Sequence, residues 1–169
     1  MEARAAVLLE ALPYIREFAG ATVVVKYGGA AMTKPELKAS FARDIALLKF
    51  VGMNPVVVHG GGPDINAYSE RLDLDVNFVG GLRVTDEPTM ELVKMVLIGK
   101  VNKEIVELIN HAGGKAVGLT GQDGGLIRAS KLMINSTDLP DQLLDIGHVG
   151  QIEQVDPDIV YSLLKSGFI

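Results

Sequence analysis

Two apolar, β-branched runs of this chain each end in consecutive glycines, and this arrangement constrains the fold more than any other feature. Thr22–Tyr27 leads into Gly28–Gly29, and Pro55–His59 leads into Gly60–Gly62. Short apolar runs bounded by turn residues are typical of buried strands, and a helical pattern follows each glycine turn. The order strand, helix, strand, helix predicts a parallel pair with right-handed crossovers. We therefore expect an α/β fold, a three-layer α/β/α sandwich with a mostly parallel central sheet.

The rest of the pattern predicts further helices, a hairpin and three more strands. The first helix, Ala5–Phe18, contains Pro13, which should kink or divide it. Asp86 is expected to cap a long helix, and the apolar runs that flank Gly80–Gly81 predict a β-hairpin. In chain order, the other predicted elements are helices from Leu37 to a stop at Gly52 and over Asp64–Leu72, the hairpin Val76–Thr85, the long helix Pro88–His111, strands at Ala116–Leu119 and Leu126–Ala129, a polar loop over Ser130–Asp145, a strand at Gly147–Val155 and a helix at Pro157–Leu164.

The composition argues against several classes of protein. The 169 residues are enough for one ordinary domain, and the net charge of −5 with scattered basic residues argues against a nucleic-acid-binding stripe. No apolar run approaches the roughly 20 residues that a membrane helix needs. Residues 1–20 lack the apolar segment and cleavage site of a signal peptide. Because the chain also has no Cys, we expect a cytoplasmic protein that binds neither nucleic acid nor membrane.

The two glycine turns are candidates for binding an anion. In an open parallel sheet both would lie at the carboxyl edge of the strands, where ligands bind. Backbone amides there, together with a following helix N-terminus, suit phosphate or carboxylate. However, Gly28–Gly29 lacks the spacing of a P-loop, and Gly60–Ile65 fails the dinucleotide-binding pattern at its last position. From the residues alone, an anion site and a pair of simple tight turns are both open.

Two basic residues close to glycines favour the anion site. Lys26 stands on an otherwise apolar strand just before Gly28–Gly29, so its ammonium group would lie near the amides of the turn. Otherwise it is a strand-end lysine that extends into solvent. Arg83 follows Gly80–Gly81 and could clamp a carboxylate with two hydrogen bonds, although a surface arginine is the default interpretation.

Other polar residues and the long helix have simpler interpretations. His59, His111 and His148 share no metal-ligand spacing, so we expect no metal site, and His59 is expected to be a packed imidazole at the end of its strand. Asp123 is most simply a turn aspartate. The apolar stripe of Pro88–His111 is first a core face, but its breadth also favours a subunit contact. We therefore expect a homodimer.

Six short strings of this chain, in their order and separation, resemble those of the acetylglutamate kinase family, a branch of the amino acid kinase superfamily. The set is specific, whereas a lysine before a diglycine would indicate the superfamily alone. The resemblance extends from about Leu9 to Ile169. The strings are Val25–Gly29, Val57–Pro63, Gly81–Thr85, Gly99–Lys103, Ala116–Leu119 and Gly147–Gly150.

The resemblance implies phosphorylation of the γ-carboxylate of N-acetyl-L-glutamate, a step of arginine biosynthesis, with ATP and Mg²⁺. A carboxylate is already a nucleophile and needs no general base, so catalysis consists of positioning two anions and stabilising charge on the phosphoryl oxygens. The roles implied are catalysis and contact with the transferred phosphoryl group for Lys26, binding of the ATP phosphates for Gly28 and Gly29, backbone contact with the substrate for Gly61 and Gly62, and a grip on its α-carboxylate for Arg83.

The resemblance also implies a longer protein. Members of the family continue into an ATP-binding lobe that holds the adenine site, so residues 21–169 are expected to form the acetylglutamate-binding lobe, and this chain alone is expected to be inactive. Residues 1–20 resemble the kinked helix that joins dimers into a hexamer in arginine-sensitive members. Two alternatives are open, namely a non-catalytic amino-acid-binding or regulatory domain and a kinase for aspartate, glutamate or carbamate. Gly81–Thr85 and Gly147–Gly150 favour the acetylglutamate branch.

Overall fold

A computed structural model describes residues 2–135 and 143–169, and this part of the chain contains six α-helices and six strands. A π-helical segment, Met95–Asn102, joins α4 to α5. The helices are α1 Glu2–Phe18, α2 Pro35–Phe50, α3 Gly62–Arg71, α4 Glu87–Lys94, α5 Lys103–His111 and α6 Asp158–Lys165. The strands are β1 Thr22–Tyr27, β2 Asn54–His59, β3 Phe78–Val79, β4 Leu82–Arg83, β5 Ile127–Asn135 and β6 Leu143–Val155.

The chain divides into two compact units. The first consists of Met1–Gly60, Ile105–Val117 and Leu163–Ile169, and the second of Gly61–Glu104 and Gly118–Ser162. The predicted α/β class is confirmed, because the first unit contains a parallel strand pair connected through a helix. This sheet is small, since the other strands pair only as two antiparallel ribbons within the described residues.

Strands β1 and β2 of the first unit form the predicted parallel pair. Their register sets Val24 beside Val56 and Lys26 beside Val58. The Tyr27 ring stacks on Phe41 of α2, with centroids 3.9 Å apart, so α2 covers the face of β1 that carries Tyr27. The opposite face is open, with Val24 66% exposed and Val58 51% exposed. The prediction of fully buried strands therefore holds for one face only.

The strand predicted at Ala116–Leu119 is wrong, because no strand forms there. Val117 N–H donates to Ile169 O at 3.0 Å and Ile169 N–H donates to Lys115 O at 2.8 Å, which is the hydrogen-bond pattern of parallel strands. Only two such bonds join the segments, and two bonds are too few to define a ladder.

The long antiparallel ribbon of β5 and β6 corrects the prediction of a loop over Ser130–Asp145. Ser130 and Lys131 pair with Gln151 and Gly150, so the polar region begins as strand. Residues 136–142, the middle of that predicted loop, lie outside the described residues. The predicted strand Gly147–Val155 is confirmed as part of β6, and the predicted final helix as α6.

The predicted hairpin of the second unit is confirmed, although its strands are short. Phe78 pairs with Arg83 and Val79 pairs with Leu82, which leaves Gly80 and Gly81 as the two turn residues. Both glycines have positive φ, 57° and 81°, as a two-residue turn of this hand requires.

The long helix predicted at Pro88–His111 is helical throughout, from the start of α4 to the end of α5. Asp86 caps it as predicted, accepting a hydrogen bond from Thr89 N–H at 3.0 Å. Hydrogen bonding with Thr89 lowers the pKa of Asp86 below its ordinary value. The side-chain hydrogen bond has the larger effect and the backbone hydrogen bond the smaller. The π-helical segment was not predicted. Its i→i+5 repeat matches the spacing of Val96 and Val101, which are both buried.

Helix α1 contains Pro13 and is one continuous helix over Glu2–Phe18, so the predicted division does not occur. Its large apolar side chains stand in solvent. The exposed ones are Val7, Leu8, Leu9, Leu12, Tyr14 and Phe18. None of the helices in the described residues is long and apolar enough to span a membrane.

Candidate functional site

The first glycine turn, Gly28–Gly29, lies at the carboxyl end of the parallel pair. Strand β1 alternates, so Lys26 shares the exposed face with Val24. Gly60 N–H donates to Tyr27 O at 3.1 Å, and this bond closes the ladder where both strands end. Because parallel strands bring their carboxyl ends to one edge, Lys26, Gly28–Gly29 and the start of the second glycine turn share that edge of the sheet.

Gly29 begins a short 3₁₀ turn, Gly29–Met32, that keeps the first glycine turn open. Its φ of 61° lies in the left-handed region that favours glycine. The Tyr27 hydroxyl donates to Ala31 O at 3.0 Å and holds the turn against β1. A Cβ added at Gly28 or Gly29 would meet no described atom within 4 Å. The space beside the backbone of this turn is therefore not filled by another described side chain.

The second glycine turn is crowded where the first is open. Gly61 is the N-cap residue of α3 and is buried, and Gly62 is the first residue of that helix and is exposed. A Cβ on Gly61 would lie 2.3 Å from Leu97 Cδ2 and 3.5 Å from Val101 Cγ2. A side chain at position 61 would therefore displace the end of the Leu97 side chain, because the π-helical segment packs against the backbone of Gly61. The first amides of α3, with the positive end of the helix dipole, are suited to an anion.

Lys100 and Asp64 form an ion pair beside this turn. Asp64 lies in the first turn of α3, and Lys100 lies on the π-helical segment. Lys100 Nζ is 2.5 Å from Asp64 Oδ1 and 3.8 Å from Glu104 Oε2. The hydrogen bond to Asp64 raises the pKa of Lys100 above its ordinary value.

Arg83 is held in place by two neighbours within the second unit. Its Nη2 donates to Asn66 Oδ1 of α3. Its Cζ lies 4.8 Å from the centroid of the Phe78 ring, its cross-strand partner. The other terminal nitrogen, Nη1, is buried and has no hydrogen-bond partner among the described residues. A buried guanidinium N–H without an acceptor is costly, so a carboxylate that reached Nη1 would relieve that cost.

The remaining polar candidates have structural partners. Asp123 accepts hydrogen bonds from Thr120 N–H at 2.6 Å and from its hydroxyl at 2.9 Å, which confirms it as a turn aspartate. Both hydrogen bonds lower the pKa of Asp123 below its ordinary value, and the one from the backbone of Thr120 has the larger effect. His148 Nε2 lies 2.6 Å from Glu87 Oε2. No group of three or more His, Asp or Glu that could hold a metal ion occurs in residues 2–135 and 143–169.

Three residues near these sites were missed from the sequence: Asn66, Phe78 and Lys100. Phe78 had a usable signal, because a two-residue hairpin turn fixes the register and makes Phe78 the partner of Arg83. Asn66 follows Gly62 by four positions and so lies one helical turn along α3. Nothing local to Lys100 indicates its partner, because Asp64 lies 36 residues away.

The chain is similar to known proteins over nearly its whole length. An acetylglutamate kinase of Syntrophus aciditrophicus (strain SB) is 57% identical over 169 residues, which cover 98% of this chain and 57% of the relative. One of Leptospira biflexa serovar Patoc (strain Patoc 1 / Ames) is 57% identical over 164 residues, covering 96% of this chain and 56% of the relative. The chain thus spans little more than half the length of these relatives.

Solved structures resemble it as well. An N-acetylglutamate synthase of Neisseria gonorrhoeae, complexed with coenzyme A and N-acetyl-glutamate, superposes with a TM-score of 0.76 at 25% identity, covering 98% of this chain and 36% of that one. The sequence pattern of the amino acid kinase family matches residues 21–169. This chain belongs to the amino acid kinase family.

Proposed function

We propose that this chain is the substrate-binding part of an enzyme that phosphorylates the γ-carboxylate of N-acetyl-L-glutamate with ATP. The observation that carries the proposal is the arrangement of Arg83. Its guanidinium is fixed by Asn66 and Phe78, and its buried Nη1 has no acceptor among the described residues. An arginine fixed in this way is suited to a carboxylate ligand, and the relatives named acetylglutamate kinase indicate which carboxylate.

The substrate in this proposal is held between Arg83 and the second glycine turn. Arg83 binds the α-carboxylate, and the backbone amides of Gly61 and Gly62 bind the remainder of the molecule. The start of α3 at Gly62 supports this assignment, because the first amides of a helix have no partner within it.

Phosphoryl transfer in this proposal depends on Lys26 and the first glycine turn. A γ-carboxylate oxygen attacks the terminal phosphorus of ATP, an acyl phosphate forms, and the bond to ADP breaks. Lys26 stabilises the negative charge that spreads over the phosphoryl oxygens, and the amides of Gly28 and Gly29 bind the phosphates. The open geometry of this turn supports the assignment.

ATP and Mg²⁺ are both part of the proposal. An ammonium group and backbone amides are donors that fit phosphate oxygens, so Lys26, Gly28 and Gly29 would hold the phosphate end of the nucleotide. Mg²⁺ bound to those phosphates would neutralise further charge. The adenine site is assigned to the additional length that the relatives have, and the cytoplasm is the proposed compartment.

Self-association is proposed through two apolar helical surfaces. The first is the helical run from α4 to α5, whose apolar stripe is largely buried in the core but on which Met95 is 61% exposed. The second is α1, whose large apolar side chains stand in solvent. A homodimer through the first surface, extended to a hexamer through α1, would cover both. Light scattering at micromolar concentration should report at least a dimer, and a monomer at all concentrations would contradict this.

A second candidate function is a non-catalytic domain that binds an amino acid. The fold similarity to the N-acetylglutamate synthase favours it, because that enzyme carries a region like this chain within a longer protein. The kinetic test below separates the two functions.

The test uses a full-length protein that contains this chain, and it compares two substitutions. Lys26→Ala should lower kcat by several orders of magnitude with little effect on acetylglutamate binding, because the charge that Lys26 meets is greatest in the transition state. Arg83→Ala should mainly raise KM, since its contact stabilises ground and transition states alike. Loss of this charge-assisted pair should cost about 2–4 kcal/mol, or roughly 30- to 1000-fold in affinity.

The control is Arg71→Ala, because Arg71 also stacks on an aromatic ring, that of Tyr68, but has no proposed ligand. It should leave both constants within about twofold of the wild type, as for surface substitutions generally. An unchanged kcat in Lys26→Ala would contradict the proposed chemistry.

A further inference from the structure

The N-terminus of α3 carries a negative charge at the place where the proposed substrate binds. Asp64 is in the first turn of α3, two residues after Gly62, and its side chain is 28% exposed. An acidic side chain in this position interacts with the positive end of the helix dipole itself. It would also repel a carboxylate ligand held by the amides of Gly61 and Gly62, which lie within about one helical turn.

Lys100 counters this charge directly. Its Nζ lies 2.5 Å from Asp64 Oδ1, and the pair is partly shielded, with Lys100 40% exposed. Glu104 is the only other acidic partner of Lys100 among the described ion pairs, and it is more distant at 3.8 Å. The ammonium group of Lys100 therefore interacts more strongly with Asp64 than with Glu104.

The segment that carries Lys100 also forms the wall behind the turn. Leu97 and Val101 are the two side chains nearest to the space above Gly61. Both lie within one turn of Lys100 on the π-helical segment. The π-helical segment thus packs against the second glycine turn and also places the ammonium group of Lys100 beside Asp64.

We propose that Lys100 is a positioning residue for the second glycine turn. By neutralising Asp64, Lys100 makes the N-terminus of α3 receptive to a carboxylate. This role rests on the proposed function. Lys100 does not contact the substrate; it acts through Asp64. A purely structural salt bridge of this exposure would contribute little to stability and nothing specific to ligand charge, so the two roles differ in what they predict.

The test is calorimetric titration of the chain with N-acetyl-L-glutamate in four forms: wild type, Lys100→Gln, Asp64→Asn and the double variant. Lys100→Gln leaves Asp64 uncompensated and should weaken binding about tenfold, as expected for a like charge one helical turn away. Asp64→Asn leaves the positive charge of Lys100 uncompensated and should bind at least as tightly as wild type. The double variant should recover to within about twofold of wild type, because neither charge remains. Raising the salt concentration should reduce the difference in affinity between Lys100→Gln and wild type, because salt screens the repulsion between Asp64 and the ligand.

Lys94→Gln is the matched control, since Lys94 is an exposed lysine on the neighbouring helix α4. It should bind like wild type. Equal affinity in Lys100→Gln and wild type, or a double variant as weak as Lys100→Gln, would overturn the role of Lys100 and leave the proposed function standing. A wild-type chain that does not bind N-acetyl-L-glutamate would overturn both.

Discussion

The turn after β1 and the turn after β2 place glycine under different physical constraints. Gly29 has a φ of 61° and open space around the position of a Cβ. Gly61 has an extended φ of −178°, which any residue adopts, but Leu97 fills the space where a Cβ would stand. Glycine is thus favoured by backbone conformation in the first turn, and in the second by the position of the Leu97 side chain.

This difference has a functional consequence. In the proposed function, an open turn can adapt to a ligand that arrives from outside, such as a nucleotide phosphate. The second turn packs against the π-helical segment at Gly61, and a backbone held in this way would suit the proposed small substrate of defined shape. Preorganised donors of this kind discriminate between ligands, because they need no rearrangement on binding.

The largest expected effect on stability is at the crowded turn. Gly61→Ala should destabilise the chain by about 1–3 kcal/mol, because the added methyl group forces Leu97 out of its position. Urea unfolding measures this. Leu97→Ala in the same background removes the clash and should recover part of the loss.

Gly62→Ala is the matched control for Gly61→Ala, since no described atom lies within 4 Å of its Cβ position. This substitution should leave the free energy of unfolding nearly unchanged. Equal losses at positions 61 and 62 would show that crowding by Leu97 is not what requires glycine at Gly61.

A smaller effect is expected at the open turn. Gly29→Ala should cost roughly 1–2 kcal/mol, because an L-residue pays for the left-handed conformation. Gly29→Asn should cost less, since asparagine tolerates that region better.

Gly28 is under neither the conformational nor the crowding constraint, because its φ is not positive and its Cβ position is open. Gly28→Ala is therefore the control for Gly29→Ala. It should leave the unfolding midpoint unchanged. If Gly29→Ala were also neutral, the conformational requirement assigned to this turn would be wrong.

The local elements were largely predictable from sequence, and the contacts between them were not. Thr22–Tyr27 is strand as predicted, and the cap at Asp86 follows from local chemistry. The ribbon from Ser130 was missed because its short apolar run, Leu132–Ile134, lies among polar and turn residues and does not alternate with them. Ala116–Leu119 has the apolar pattern of a strand but no neighbouring strand among the described residues with which to form a ladder. A strand needs both the pattern and the neighbour.

The candidate site divides in the same way. Lys26, Gly28–Gly29 and Arg83 stand out because each is an unusual residue for its local setting. Asn66 and Lys100 are ordinary residues on polar helical positions, and their importance arises only from what they contact. Pairings such as Lys100 with Asp64 depend on how distant segments pack, which periodicity and turn signals do not specify.

The central claim is that the second unit binds the α-carboxylate of N-acetyl-L-glutamate through Arg83, and one calorimetric comparison tests it most directly. The wild-type chain and Arg83→Ala are each titrated with N-acetyl-L-glutamate and with its α-amide, which lacks that carboxylate. Wild type should bind the acid at least about 30-fold more tightly than the amide, whereas Arg83→Ala should bind both weakly and almost equally. If wild type bound acid and amide alike, or if Arg83→Ala kept the preference for the acid, the account would be contradicted.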